Sequence, residues 1–186
     1  MENKGQIFAY DGDVRRLAPI FDRLKRAQAR NVQVRAPKGR TEKGKTEVLA
    51  DLHARMDLVL VDAPCTGTGI WRRHPDAKWR MRPGALEIRV REQAKLLDQA
   101  VAFARPGGRI VYVTCSLLPA ENSAQIEGFV SRHDGWQATP GKDICKTLGG
   151  RGAILQKAAK LLPEGLLLTP KRTNTDGFFI AVLRKV

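Results

Sequence analysis

Two cysteines in this chain stand where chemistry is easiest to arrange. "LVLVDAPCTGTG" (Leu58 to Gly69) carries an apolar, strand-like run into Asp62, Pro64 and Cys65, then into a glycine-broken loop. "RIVYVTCSLLPAEN" (Arg109 to Asn122) repeats the design with Cys115, followed by a helix-start pattern. A single free cysteine is most often a small buried hydrophobe. Two of them, each just past a strand and each before a segment that presents backbone N–H groups, are better placed, because such donors and basic neighbours favour the thiolate. A thiolate is a nucleophile, so covalent catalysis is within reach. With Cys145 the cysteines number three at wide spacings. That fits neither a disulfide framework nor a zinc motif, and no metal is expected.

A second group of candidates follows the first cysteine. In "IWRRHPDAKWRMRPG" (Ile70 to Gly84), Arg72, Arg73, His74, Lys78 and Arg80 are interleaved with Trp71 and Trp79. Cations at this density suit phosphates, and indoles stack on unpaired bases; the plainer reading is a solvated loop. The whole chain has 33 Lys and Arg against 19 Asp and Glu, a formal charge of +14 and a pI near 10.3. A polyanionic partner follows, nucleic acid first, since each neutralised phosphate releases counterions; a generally basic, solvated surface is the competing account.

These residues need strands and helices to hold them. "GQIFAYD" reads as a strand ending at Asp11, followed by one helix over "DVRRLAPIFDRLKRAQAR" with Leu17, Ile20, Phe21 and Leu24 at helical spacing. "NVQVRAP" is a second strand, and Pro37 to Glu47 a polar, lysine-rich loop. "MDLVLVDAP" is a third strand, apolar almost without alternation, as for a strand covered on both faces. A long helix over "ALEIRVREQAKLLDQAVAFARPGG" is closed by Pro-Gly-Gly; "RIVYVTCS" is a fourth strand and "PAENSAQIEGFVSRH" a helix. A turn at Asp176-Gly177 leads to a last strand, "FFIAVLRKV".

Strands alternating with helices predict an α/β fold with a mostly parallel sheet, helices on both faces and an antiparallel last strand. Ligands of such sheets sit at the carboxyl ends of the strands, which would gather Asp11, Asp62, Cys65 and Cys115 in one crevice. At 186 residues the chain is expected to form a single domain, 1–186. It has no apolar run of membrane-spanning length and no signal-peptide core, so it reads as cytoplasmic, with no membrane partner.

"VDAPCTGTG", "RRHPDAKW", "VTCSLLPAEN" and "TDGFFIAVL" closely resemble the RsmB/Fmu and Nol1/Nop2/Sun family of RNA cytosine-5 methyltransferases, from "FAYDGDVRRL" onward. The resemblance implies a Rossmann-like class I methyltransferase domain that transfers a methyl group from S-adenosylmethionine to carbon 5 of a cytidine. The favoured substrate is ribosomal RNA, with transfer RNA possible. It further implies that Cys115 adds to carbon 6 of the base while Cys65 assists release of the adduct. By the same resemblance Asp62 is expected between cofactor and base and Asp11 at the cofactor ribose, although an Asp that caps or opens a turn reads identically in sequence. Pro64 and Pro75 stiffen their turns, and Asn122 supports the Cys115 loop.

Two departures stand against this pattern. The family's glycine-rich cofactor loop, of the form Ala-Pro-Gly-Gly-Lys-Thr, occurs nowhere in the sequence, and "VRAPKGRTE" puts Pro37 and Lys38 where an acidic residue is expected near the adenine. The chain therefore reads as an N-terminally truncated domain that lacks the first strand and is inactive as this fragment. Strand edges left unpaired would be met by rearrangement or self-association. The alternative is a non-catalytic, basic RNA-binding module.

Overall fold

The computed structural model describes residues 2–39, 41, 44 and 47–186, in two compact units, 1–53 and 54–186. Positions 40, 42, 43, 45 and 46 of the lysine-rich loop lie outside the described residues.

In the first unit, β1 (Ile7–Tyr10) pairs in parallel with β2 (Val32–Arg35), Ile7 opposite Val32. The connection is two short helices, α1 (Val14–Leu17) and α2 (Ile20–Arg26), where the periodicity predicts one. Pro19, which lacks an amide donor, stands at the break, and the Asp13 carboxylate starts α1 by accepting from the Arg15 amide. Of the apolar positions only Leu17 is buried, and Phe21 is exposed.

The second unit opens with β3 (Met56–Asp62), α3 (Ala85–Ala100), β4 (Ala104–Thr114) and α4 (Ser123–Arg132). It continues through β5 (Trp136–Ala138), α5 (Gly141–Lys146), α6 (Gly150–Ala158), β6 (Lys160–Leu162), β7 (Gly165–Leu168), α7 (Pro170–Thr173) and β8 (Phe178–Lys185). Its sheet has the order β3-β4-β8-β7-β6, with β5 also on β8. Residues of β8 alternate between two cores. Phe179, Ala181 and Leu183 join Leu97 of α3, Ile126 and Phe129 of α4, and Ile110 and Tyr112 of β4, whereas Val182 packs with Ile144 and Cys145 of α5 and with Ala159. Helices thus cover both faces of the sheet at β8.

Three expectations need correction. The sheet of this unit is mixed: only β3 and β4 pair in parallel, and "KLLPEGLLL" forms an antiparallel hairpin, β6 to β7, closed over Pro163-Glu164. β3 is covered on one face, with Val59 and Val61 on the core and Leu58 and Leu60 exposed at 43% and 62%. The Pro-Gly-Gly that should close the long helix lies inside β4. There Gly107, at φ 73°, allows a bulge between the pairs Met56–Ala104 and Leu58–Arg109. Among the described residues no helix is long and apolar enough to cross a membrane.

Candidate active site

β3 and β4 are adjacent and parallel, with Asp62 opposite Val113, so the residues that follow them emerge side by side. Cys65 and Cys115 are both partly exposed, and their sulfurs are 3.3 Å apart, a thiol hydrogen bond rather than a disulfide. Two sulfurs this close share protons unequally. The thiol of Cys115 and the amides of Gly67 and Cys115 stabilise a thiolate on Cys65, which brings its pKa down to about 7 against burial and the charge of Glu121. Cys115 moves the other way: donating to Cys65, burial and the charges of Cys65 and Asp62 all hold it as the thiol.

The loop bearing Cys65 hangs on Glu121, which is fully buried. One carboxylate oxygen accepts from the Thr66 amide at 2.8 Å and from Gln93 Nε2 at 3.0 Å, and the other accepts from the Thr66 hydroxyl at 2.5 Å. Gln93 also donates to the Pro64 carbonyl, and the Tyr112 hydroxyl donates to the Glu121 carbonyl, so both strand ends are tied to one residue. The loop bearing Cys115 hangs on Asn122: Nδ2 donates to the Ser116 carbonyl at 2.9 Å, and Oδ1 accepts from the Thr114 hydroxyl at 2.7 Å. Asn122 therefore does support the Cys115 loop. Thr68 links the two loops through the Ser116 hydroxyl and the Leu117 amide.

A third chain segment locks into the same place. The Gly69 amide donates to the Cys115 carbonyl at 2.9 Å, and the Gly177 amide donates to the Gly69 carbonyl at 2.8 Å. A Cβ at Gly69 would stand 2.3 Å from the Gly177 oxygen and 2.8 Å from that of Cys115, so only glycine fits. "CTGTG", "TCS" and "TDGFF" form one interlocked unit.

The basic loop folds into a short 3-10 turn at Thr68–Ile70 and a longer one at Pro75–Arg80, with Pro75 at its start. Its cations are already engaged. Arg73 pairs with Asp176 at 2.6 Å, Arg72 donates to Asn174, Arg80 pairs with Asp76, and Lys78 lies 4.6 Å from the Trp79 ring centre. His74 is exposed, and Trp79 is 80% exposed. An open cleft of about 520 Å³ runs from Cys65 and Thr66 past Ala77, Arg80 and Met81 to Ile88.

Asp62, Cys65 and Cys115 are thus brought together, with the Asp62 carboxylate exposed at the end of β3. Asp11 belongs to the first unit, where Oδ1 accepts from the Asp13 amide, the geometry of an Asp that opens a turn. Glu121 and Gln93 were not singled out by the sequence reading. Gln93 had a signal: it interrupts the apolar face of α3 made by Leu86, Val90, Leu97 and Ala100.

The sequence model of the family described as "16S rRNA methyltransferase RsmB/F" matches residues 1–184. The chain belongs to that family. This RsmB/F family member is 35% identical over 182 residues to the ribosomal RNA small subunit methyltransferase B of Enterobacter sp. (strain 638), covering 98% of the chain and 37% of that relative. It spans little more than a third of the curated relatives it matches. Over its whole length it superimposes on 38% of the crystal structure of PH0851, at 31% identity and a TM-score of 0.81. It also superimposes on 42% of the NSun6 of Pyrococcus horikoshii solved with SFG, at 26% identity and a TM-score of 0.70. The fold is accordingly that of a Rossmann-like methyltransferase.

Proposed function

We propose that residues 1–186 form the catalytic domain of an S-adenosylmethionine-dependent RNA cytosine-5 methyltransferase, with ribosomal RNA as the substrate. The observation that carries this reading is the pair of unlike thiols 3.3 Å apart at the ends of two parallel strands. The names of the relatives add the substrate class.

Carbon 5 of cytosine is too weak a nucleophile to attack a methyl donor, and a sulfur added at carbon 6 makes it an enamine-like one. Cys65, the thiolate, accepts the proton of Cys115, and the freed Cys115 sulfur bonds to carbon 6. S-adenosylmethionine, when bound, supplies the methyl group to carbon 5. Cys65 passes its proton to solvent through the open cleft and then takes the proton from carbon 5, and the bond from Cys115 to carbon 6 breaks. That proton then passes from Cys65 to the expelled Cys115 sulfur, so that one proton is released per methyl transferred and both sulfurs return to their starting states. Asp62 hydrogen-bonds the amino edge of the base. Arg72, Arg73, His74, Lys78 and Arg80 approach the phosphates; for Arg72, Arg73 and Arg80 this means exchanging or sharing their present partners.

The residues present fit part of a cofactor site. In the second unit the exposed Asp62 suits a polar group of the ligand; within the first unit, taken by itself, Asp11 has Oδ1 engaged by the Asp13 amide and keeps Oδ2 for a hydroxyl donor. For the 186-residue chain by itself the expected cofactor affinity is weak and the turnover absent. Calorimetric titration with S-adenosylmethionine tests this, and micromolar binding would refute it.

The roles of the cysteines are tested with RNA containing 5-azacytidine, which traps the adduct. A covalent complex should form with the unaltered chain, form more slowly with Cys65→Ala, which lacks the sulfur that takes the Cys115 proton, and be absent with Cys115→Ala on a denaturing gel. Trapping by both variants alike would sink the assignment. Binding without any adduct would favour the non-catalytic RNA-binding module.

A further inference from the structure

We infer that Cys65 and Cys115 are a site of reversible oxidative modification, at which a hydroperoxide closes the two thiols into a disulfide that blocks both at once. The geometry is the main argument. Their sulfurs are 3.3 Å apart. A disulfide places them about 2.05 Å apart, so each needs to move only about 0.6 Å. The loops that carry them follow adjacent, register-matched strands, Ala63 still donating to the Val113 carbonyl at 3.0 Å, so closure asks for no change in strand pairing.

The two sulfurs are also chemically unlike, as the reaction requires. Cys65, the more acidic of the two thiols, lines the open cleft where a small peroxide can reach it. Its sulfur attacks one peroxide oxygen; the O–O bond breaks, an S–O bond forms, and hydroxide leaves and takes up a proton to become water. The sulfur is thereby oxidised by two electrons to a sulfenic acid and the peroxide is reduced. Cys115, already in contact, then attacks that sulfur: the S–S bond forms, the S–O bond breaks, and the thiol proton leaves with the oxygen as a second water. Two thiols and one hydrogen peroxide give one disulfide and two waters, and an alkyl hydroperoxide gives one water and one alcohol instead. A sulfenic acid with a thiol at contact distance is consumed before a second peroxide arrives, so the site is protected from irreversible oxidation. Cys145, only 1% exposed and held in a separate core, takes no part.

The chemistry stands on this geometry alone; its regulatory consequence, loss of adduct formation, rests on the proposed reaction. The test is to treat the 186-residue chain with hydrogen peroxide and count thiols in denaturant. Three should fall to one, with a cross-link between the peptides of Cys65 and Cys115 that dithiothreitol removes. Cys145→Ser should form the same cross-link, and Cys65→Ser should form none. Cys115→Ser should instead hold a sulfenic acid on Cys65 that dimedone captures. Three surviving thiols, sulfinic acid at Cys65 without a cross-link, or disulfides between chains would overturn the inference. A correct disulfide that leaves trapping by 5-azacytidine RNA intact would uphold it, and would instead refute Cys115 as the nucleophile.

Discussion

The sharpest prediction concerns Glu121→Gln, because stability and the Cys65 pKa should both fall, for reasons that can be separated. Three donors converge on the Glu121 carboxylate, from the Thr66 amide, the Thr66 hydroxyl and Gln93. Hydrogen bonds to a charged acceptor contribute about 1.5–3 kcal/mol each, against about 1 kcal/mol for neutral ones. Glutamine keeps the shape, and the Thr66 hydroxyl can rotate to accept from the new amide. The loss of charge assistance over three bonds is then about 1.5–6 kcal/mol. Part of it returns, since a neutral amide costs less to bury than a carboxylate, and the net loss in urea unfolding should be about 1–2 kcal/mol. Glu121→Ala, which strands the Thr66 and Gln93 donors at roughly 1–3 kcal/mol each, should lose more.

Acidity follows a separate cause. The charge of Glu121 opposes a thiolate on Cys65, so removing it should move the Cys65 pKa below its present value of about 7. The assay is the rate of iodoacetamide alkylation of Cys65 against pH, read by peptide mass on protein whose circular dichroism shows it folded. If the midpoint rises instead, Glu121 acts on the sulfur by holding the loop in place and not through its charge, and the electrostatic reasoning fails. An unchanged urea midpoint would equally refute the claim that Glu121 anchors the loop.

Three more outcomes are expected. Alkylation of Cys65 should have its midpoint near pH 7 in the unaltered chain and move toward the ordinary value of 9.0 in Cys115→Ala, because the Cys115 hydrogen bond is the largest cause of the shift. Reactivity is the cleaner readout here. A lowered Cys65 pKa adds stability that is fully present above about pH 9 and lost as pH falls through about 7, whereas the raised Cys115 pKa adds stability that is lost on the alkaline side. Gly69→Ala should cost about 2–4 kcal/mol by urea unfolding, since its Cβ collides with two carbonyls and disturbs the two hydrogen bonds that join the Cys65, Cys115 and Gly177 loops; a loss under 1 kcal/mol would show the lock to be loose. Replacing Arg72, Arg73 or Lys78 by Ala should each flatten the dependence of log RNA affinity on log salt by about one unit, and an unchanged slope in filter binding would leave Arg73 as the structural partner of Asp176 alone.

What was legible in the sequence was local. A strand of four to eight apolar residues followed by a glycine- or proline-bearing loop is a short-range pattern, and two such strands joined by a helix run parallel and are usually neighbours. That gathered Cys65 and Cys115 at one end of the sheet. The hairpin of β6 and β7 stayed hidden because "KLL" and "GLLL" lack the β-branched and aromatic residues by which strands announce themselves. Leu58 and Leu60 were misread because an apolar run says that both sides of a strand are apolar, not that both are covered. Partners distant in sequence were out of reach altogether. Nothing near Arg73 points to Asp176, and nothing near Thr66 points to Glu121.

Those distant partners explain how two loops hold their sulfurs at contact distance. Glu121 and Asn122 are consecutive, both buried, and stand where the chain enters α4. Glu121 holds the loop of Cys65, and Asn122 holds the loop of Cys115. The spacing of the thiols is therefore set through one peptide unit, whose geometry is nearly rigid, rather than through two independent anchors whose errors would add. Tyr112 and Thr114, which bind the two anchors, both come from β4 and point to one side of it, so the strand that delivers Cys115 also fixes the dipeptide that positions both loops. A pair of thiols that must exchange a proton without separating needs this kind of support, because a displacement of 1 Å at either sulfur would break the hydrogen bond that makes one of them a thiolate and keeps the other a thiol.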